Sequence, residues 1–242
     1  MSNDLSAEDL AKRFGLDPTS ESVKRLTRIV SNQDMDLDEI AKLICLDPDL
    51  TARLLRAANP NAAKKEEFNI TTVEQALMRN GVGGALLLAM STPLMHAVAK
   101  TFQTMLNVMA PVVPLRLAAL IEGEHVLGEV AFSGKATGVV CLHLTDTSAR
   151  WIAARMLGLT PLEMNNPTEV EDVIGELSNI VVGNFKSNLC DAGLDCKLSP
   201  PKITRTAEFK LRVVPRGLAE RMVFRNRDVT LFLDISVDPW TS

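Results

Sequence analysis

Asp172, Glu176, Asn179, Gly183 and Lys186 follow one another at steps of four, three, four and three residues. At helical periodicity this spacing sets them on one line along one face. Val170, Val173, Ile174, Leu177, Ile180, Val181 and Phe185 recur at the spacing of a buried stripe on the other face. The polar line therefore faces solvent. Glu176 and Asn179, at i and i+3, project about one turn apart, so an acid and an amide can address one small target together. Gly175 and Gly183 beside them each give up roughly 1 kcal/mol of helix propensity relative to alanine, which suits a place where another backbone comes close. The wet side of any amphipathic helix carries a polar line too, so residue type and spacing alone leave both readings open.

Other reactive side chains read as structural. Asp172 is expected in the first helical turn, where a carboxylate gains roughly 0.3–1 kcal/mol from the helix dipole, and it is given a supporting role. Cys190 and Cys196 flank Asp191-Ala192-Gly193 and read as small packed residues, not a redox pair. His96, His125 and His143 are far apart, with no H-x-x-x-H or acid-rich spacing, so no metal-ligand cluster is expected in this chain. His143 sits within a strand and reads as structural.

The elements that must position this helix change in character along the chain. The first ninety residues are helical in pattern, from a capping sequence at Ser6-Ala7-Glu8-Asp9 through a periodic segment Val23 to Val30. Leu37, Ile40, Ala41 and Ile44 share a face, and Asp47-Pro48 stops that helix. Leu50, Leu54, Leu55 and Ala58 form the next stripe, and Val73, Ala76 and Leu77 begin another that is interrupted between Gly81 and Gly84.

Beyond about residue 90 the pattern mixes helix and strand, which predicts two domains, 1–90 and 91–242. An amphipathic helix is expected from Pro93 to Met109. A hairpin follows, with strands Glu129–Gly134 and Gly138–Leu144. A helix capped at Thr147 and closed by Gly158 carries Trp151, Ile152, Ala154, Met156 and Leu157 on its core face. The long helix should span Glu169 to Cys190, with further strands around Lys197–Ile203, Lys210–Val214 and Asp228–Val237. The fold class is therefore α+β: an all-helical module, then long helices packed on a mainly antiparallel sheet.

Composition narrows the partners. A chain of 242 residues with 46% hydrophobic and 23% charged side chains can form one large core or two small ones. With 26 basic against 30 acidic residues, its net charge of −4 gives no general attraction for nucleic acid. Four cysteines without a C-x-x-C pair fit a reducing cytoplasm. The acidic start Met1-Ser2-Asn3-Asp4-Leu5 lacks the features of an export signal. The apolar stretch Val108–Ile121 is broken by Pro111, Pro114 and Arg116, so no membrane-crossing segment is expected.

Asp172-x-x-x-Glu176-x-x-Asn179 has the form D/S-x-x-x-E-x-x-N and resembles the active-site signature of the CheC, CheX and FliY family of chemotaxis phosphatases. Glu176-Leu177-Ser178-Asn179-Ile180-Val181-Val182-Gly183-Asn184 is similar to that family's ELxNxxxGN stretch. The helix ending in Phe102-Gln103-Thr104-Met105-Leu106, the strand pair, the Trp151 helix and Pro200 or Pro201 extend the resemblance over about residues 91–242. Some members carry two centres, but the helix from Leu94 to Met109 has no matching Glu and Asn, so a single centre is implied.

The resemblance implies dephosphorylation of the phospho-aspartate of a CheY-type receiver domain in a response regulator. Glu176 and Asn179 would be catalytic, with Asp172 and Gly183 in support. Asn179 would orient the attacking water, and Glu176 would pair with a lysine of the partner. No cofactor is expected in this chain, and Mg²⁺ belongs to the partner receiver domain. A homodimer is a further possibility carried over from the family. A non-enzymatic adaptor that binds receivers without accelerating hydrolysis is the alternative function.

Leu37 to Ile44, then Asp47-Pro48-Asp49-Leu50 through Ala57-Ala58-Asn59, then Ile70 to Leu77 resemble the opening half of an HDOD domain. The likeness is expected to fade after Leu88, leaving a truncated module. No histidine precedes His96, which excludes metal-dependent phosphohydrolase chemistry there. A signalling platform is what this resemblance suggests; a purely stabilising helical cap is the other reading.

Overall fold

The computed structural model describes residues 37–59, 69–113, 121–135, 137–191, 194–215 and 217–238. The capping sequence at Ser6 and the segment Val23–Val30 lie outside these residues. Among the described residues the helices are α1 (Leu37–Cys45), α2 (Pro48–Ala58), α3 (Val73–Thr101), α4 (Asp146–Leu157) and α5 (Pro167–Asp191). The strands are β1 (Val112–Val113), β2 (His125–Gly134), β3 (Thr137–Thr145), β4 (Cys196–Leu198), β5 (Lys202–Thr206), β6 (Leu218–Arg225) and β7 (Thr230–Asp238).

The helical starts follow local chemistry. The Asp47 carboxylate accepts from the N–H groups of Asp49 and Leu50, and Pro48 occupies the first turn, where its missing N–H costs nothing. Thr72 caps α3 through Gln75 N–H. Inside α3, Gly81 adopts φ 72°, ψ 165°, a conformation open to glycine but not to residues with a Cβ, and this is the predicted break. Pro93, expected to start a helix, lies inside α3 instead. The helix ends in a π-helical turn, Phe102–Leu106, and the Arg155 guanidinium donates to the carbonyl of Leu106, a cation at a helix C-terminus.

The second segment of α3 serves two cores at once. Ala85, Leu88 and Ala89 join a cluster with Ile40, Ile44, Leu50, Leu54 and Leu77. Leu86, Leu87, Met90 and Leu94 face the main core with the sheet, α4 and α5. Residue 90 therefore falls within a helix whose opposite sides are both buried, which is why its apolar residues run almost without interruption. One described helical span, Val73–Leu106, is long and apolar enough to cross a membrane by length and composition; 78% of its most apolar window is buried inside the protein.

All seven strands form one antiparallel sheet in the order β1-β6-β7-β3-β2-β4, with β5 also on β2. Strand alternation sends Val126, Val130, Val140, Leu142, Leu233 and Ile235 to the helical side. The other side carries Leu127, Val139 and Cys141 in one small cluster and Val223 and Phe232 in another. The hairpin pairs as predicted, with Val130 opposite Val140.

Three expectations need correction. Lys210–Val214 is not a strand: it crosses the outer face of the sheet without regular structure, whereas the neighbouring Leu218–Arg225 is one. The cap of α4 is Thr145, whose hydroxyl accepts from Ser148 N–H, in place of Thr147. Leu157 is exposed, since it lies in the last turn, beyond the end of the buried face.

Candidate functional site

The line of polar residues is carried by α5. Asn166 accepts at its side chain from Thr168 N–H, and Pro167 fills the first helical position. Helix α5 begins two residues earlier than expected, so Asp172 lies in the second turn; Glu169 is the acid in the first. The dipole argument for Asp172 therefore passes to Glu169, because the effect falls off within the first turn.

Glu176, Asn179 and Asp172 are exposed, while Val173, Ile174, Gly175, Leu177 and Ser178 between them are buried. Glu176 and Asn179 make no hydrogen bond or ion pair with any described residue. Gly183, one turn on, has open space where a Cβ would be. An unpartnered carboxylate, an unpartnered amide and a bare backbone patch thus lie along one accessible helix face. The carboxylate can accept from a cation; the amide can accept at its oxygen and donate from its nitrogen.

The opposite face explains how this line is held. At Gly128 of β2, an added Cβ would collide with Ser178 Oγ and approach Ile203 Cδ1 at 3.3 Å. Gly175 faces the same Ile203 side chain, 3.5 Å from the place of its own Cβ. The approach predicted for Gly175 is therefore made by an apolar side chain of β5. Ser178 satisfies its hydroxyl on the Ile174 carbonyl at 2.8 Å. Small residues directly before Glu176 and Asn179 let α5 sit down on β2 and β5, so these two exposed side chains point away from a rigid support.

Ionic contacts brace the start of α5. Arg205 on β5 donates from Nε to Glu171 at 2.8 Å and from Nη1 to Asp146 at 2.9 Å, while Arg150 donates to Asp146 at 2.6 Å. Burial acts to raise the Asp146 carboxyl, but hydrogen bonds from Arg205 and Arg150 outweigh it and hold Asp146 below the usual carboxylate range. These residues are scattered in sequence, and sequence reading missed them.

Two of the three histidines are together, against expectation: His125 Nε2 and His143 Nδ1 are 3.0 Å apart on the outer face of the sheet. The antiparallel register brings them there, since Leu127 pairs with His143 and His125 lies two residues away on the same strand. Cys190 and Cys196 carry free thiols. Among the described residues no group of three or more His, Cys, Asp and Glu side chains gathers as a metal ion requires.

Comparison with known proteins finds two different families along the chain. Residues 126–223 match the family model described as chemotaxis phosphatase CheX, and residues 16–110 match the HDOD domain. The HDOD match thus runs past Leu88, where the likeness was expected to fade. Chemotaxis protein CheX from Vibrio vulnificus is similar at 22% identity and TM-score 0.52, over 61% of this chain and 95% of that one. A CheC-like superfamily protein from Shewanella sp. PV-4 is similar at 23% identity and TM-score 0.51, over 61% and 96%. Chemotaxis protein CheX from Desulfovibrio desulfuricans is similar at 15% identity and TM-score 0.50, over 61% and 98%. At these identities the structural likeness establishes the fold. No curated protein matches the chain. The chain joins an HDOD-like helical module to a CheX-like domain.

Proposed function

We propose that this chain is a phosphatase that removes the phosphoryl group from the aspartate of a CheY-type receiver domain. The observation that carries the reading is the joint exposure of Glu176 and Asn179 on one face of α5, without partners among the described residues, within the region that matches the chemotaxis phosphatase family.

The chemistry suits such a sparse site. An acyl phosphate is intrinsically labile, so catalysis mainly requires a water held in line and charge stabilisation at the phosphoryl oxygens. The Asn179 carbonyl would accept from that water while its NH₂ donates to a phosphoryl oxygen. A carboxylate in its place would repel the phosphoryl group. Glu176 would pair with a lysine of the partner and set the docking angle, and the smooth backbone at Gly183 would let the partner approach. Mg²⁺ would be supplied by the receiver domain, where it absorbs developing charge. The proposal includes the division into residues 1–90 and 91–242, a cytoplasmic location and pairing into a homodimer, the last open to light scattering.

The deciding experiment measures phosphate release from an acetyl-phosphate-charged receiver domain. The chain should accelerate release and Asn179→Ala should abolish most of that acceleration. An Asn179→Ala variant as fast as the wild type removes this residue from the mechanism. The HDOD-like module supports a second reading, a non-enzymatic adaptor that holds a receiver domain while the helices recruit another protein. Binding with an unchanged phospho-aspartate lifetime would favour it.

A further inference from the structure

The outer face of the sheet carries titratable side chains for which the proposed phosphatase centre has no use. His125 on β2, His143 on β3, Asp234 on β7 and Arg221 on β6 form one hydrogen-bonded chain. His125 Nε2 is 3.0 Å from His143 Nδ1, and His143 Nε2 is 3.1 Å from Asp234 Oδ2. Arg221 donates to both Asp234 oxygens at 2.5 and 2.6 Å. Both imidazoles are completely buried and Asp234 is 1% exposed.

The proton positions follow from the donors and acceptors. Asp234, held by Arg221, is a carboxylate and only accepts, so His143 carries its proton on Nε2 and presents a bare Nδ1. His125 then donates from Nε2, and its Nδ1 meets the Gly123 carbonyl at 3.4 Å, a contact that becomes a hydrogen bond only when the ring takes up a further proton. With both rings neutral the links His125–His143–Asp234–Arg221 are all made, only the Gly123 carbonyl lacking a proton from His125, and the charges of Arg221 and Asp234 cancel. Any further proton puts uncompensated positive charge into a closed interior next to Arg221.

What closes this interior is the segment of residues 207–215, which has no regular secondary structure. It dips inward only at Phe209 and Val214; its other residues are exposed. The Phe209 ring meets His125, His143 and Phe232 edge to face, with centroids 5.6, 5.2 and 4.8 Å away, and Arg221 lies 4.0 Å over it. Val214 covers Leu127, Val139 and Cys141, and its N–H donates to Ser236 Oγ at 3.0 Å. Arg212 reaches Glu129 at 3.6 Å.

We propose that residues 207–215 form a proton-operated strap, closed over the neutral His125–His143–Asp234–Arg221 chain and released from the sheet when His125 takes up a proton. Among the described residues, the groups facing the rings offer an imidazolium no free counter-charge. Asp234 on β7 is engaged by Arg221 on β6, and Glu129 on β2 is engaged by Arg212 on the strap. Cys141 on β3 is a thiol, and β5 places the uncharged Thr206 opposite His125. The Phe209 face that could receive a cation is taken by Arg221. Burial pushes His125 below its ordinary value; the Gly123 carbonyl opposes this, and His143 and Arg221 add to the lowering. With the strap lifted, the ring is hydrated and titrates near 6.5. A histidine depressed in the closed form contributes to closure above that value, and its contribution is lost progressively as pH falls below it.

Cys141 reports the opening. Burial, then Glu129 and Asp234, push its thiol up to about 12, so it is silent while covered by Val214. The rate at which 4,4′-dithiodipyridine modifies Cys141 in the full chain, located by mass spectrometry, is divided by the rate in the urea-unfolded chain at the same pH. Between about pH 7.5 and about pH 5.5 this ratio should rise about tenfold as His125 protonates on opening. Cys196, buried on the helical side of the sheet, should stay protected. His125→Gln, whose amide N–H can replace the Nε2 donor, should flatten the profile. A flat wild-type ratio, an equally steep His125→Gln profile, or simultaneous exposure of Cys196 would overturn the proposal. If His125→Gln does not fold, NMR of the wild-type chain decides. Loss of the Phe209 ring contacts over the same pH range as His125 protonation supports the strap; protonation with Phe209 unmoved overturns it.

Discussion

Arg53 Nη2, on α2, lies 3.3 Å from both carboxylate oxygens of Glu220, on β6. The same guanidinium donates to the Leu88 carbonyl at 3.0 Å, Thr92 Oγ1 at 2.6 Å and Ser91 Oγ at 2.5 Å. One side chain therefore ties the helical module to α3 and to the sheet. Arg53 is 10% exposed and Glu220 26%, so the two halves of the pair are unequal. Arg53→Ala should destabilise the chain by about 2–4 kcal/mol, because it removes several partly buried hydrogen bonds at once. Glu220→Gln should cost only about 1 kcal/mol, since the guanidinium keeps its other acceptors. Urea unfolding of both variants checks the order; a larger loss in Glu220→Gln would contradict it.

The contact of Gly128 with Ser178 yields a second expectation. Gly128→Ala places a methyl group against the Ser178 hydroxyl, and overpacking of this kind costs about 1–3 kcal/mol. Because Ser178 precedes Asn179, the shift should also displace the proposed catalytic line, where an error of about 1 Å can cost on the order of 10²-fold in rate. Adding Ser178→Gly should recover part of the stability and part of the phosphate release. Failure of the double variant to recover either would show that the collision is relieved elsewhere.

How much of this was legible in the sequence depends on the range of the interactions. The hairpin was readable because two runs rich in β-branched and apolar residues are joined by a short turn, and α5 was readable because its apolar stripe recurs over many turns. Strand β6 was not, since Glu220 and Arg221 interrupt its apolar pattern and find partners only on α2 and β7. Leu211, Val213 and Val214 made the neighbouring segment look like a strand, yet Leu211 and Val213 are exposed. The exposure of Glu176 and Asn179 followed from periodicity, whereas the seam of Gly128, Gly175, Ser178 and Ile203 beneath them needed three elements in register. The histidine pair was missed because the predicted strand began at Glu129, whereas β2 begins at His125.

The bracing of α5 should be sensitive to acid. Asp146 is held below the usual carboxylate range, so its contribution to stability is present above its unfolded value near 3.8. That contribution is lost as pH falls through the lower folded value. Arg205→Ala removes one of the two hydrogen bonds responsible and also frees Glu171. The variant should therefore be less stable than wild type at about pH 7, and the gap should narrow as the pH falls below about 4 towards about 3, as judged by urea midpoints. Asp146 is partly exposed, so the difference at neutral pH should be modest. An equal loss at both values would mean that Arg205 acts through packing of its stem, not through charge.

Asn179→Asp separates an oriented amide from simple polarity at the same position. The aspartate is nearly isosteric and still accepts from a water, but it donates nothing and brings a negative charge towards a phosphoryl group. If the amide acts as proposed, Asn179→Asp should release phosphate at least as slowly as Asn179→Ala, with both about 10²–10³-fold below wild type. The exposed setting of residue 179 predicts little change in folding stability for either, so unfolding midpoints serve as the control. Glu176→Gln should instead weaken association with the charged receiver domain, because it removes the charge proposed to pair with a lysine of the partner. Turnover at saturating receiver should fall less than turnover at low concentration. If Asn179→Asp retained wild-type turnover, the carboxamide would have no role in holding the water, and the exposed line on α5 would be left with docking alone.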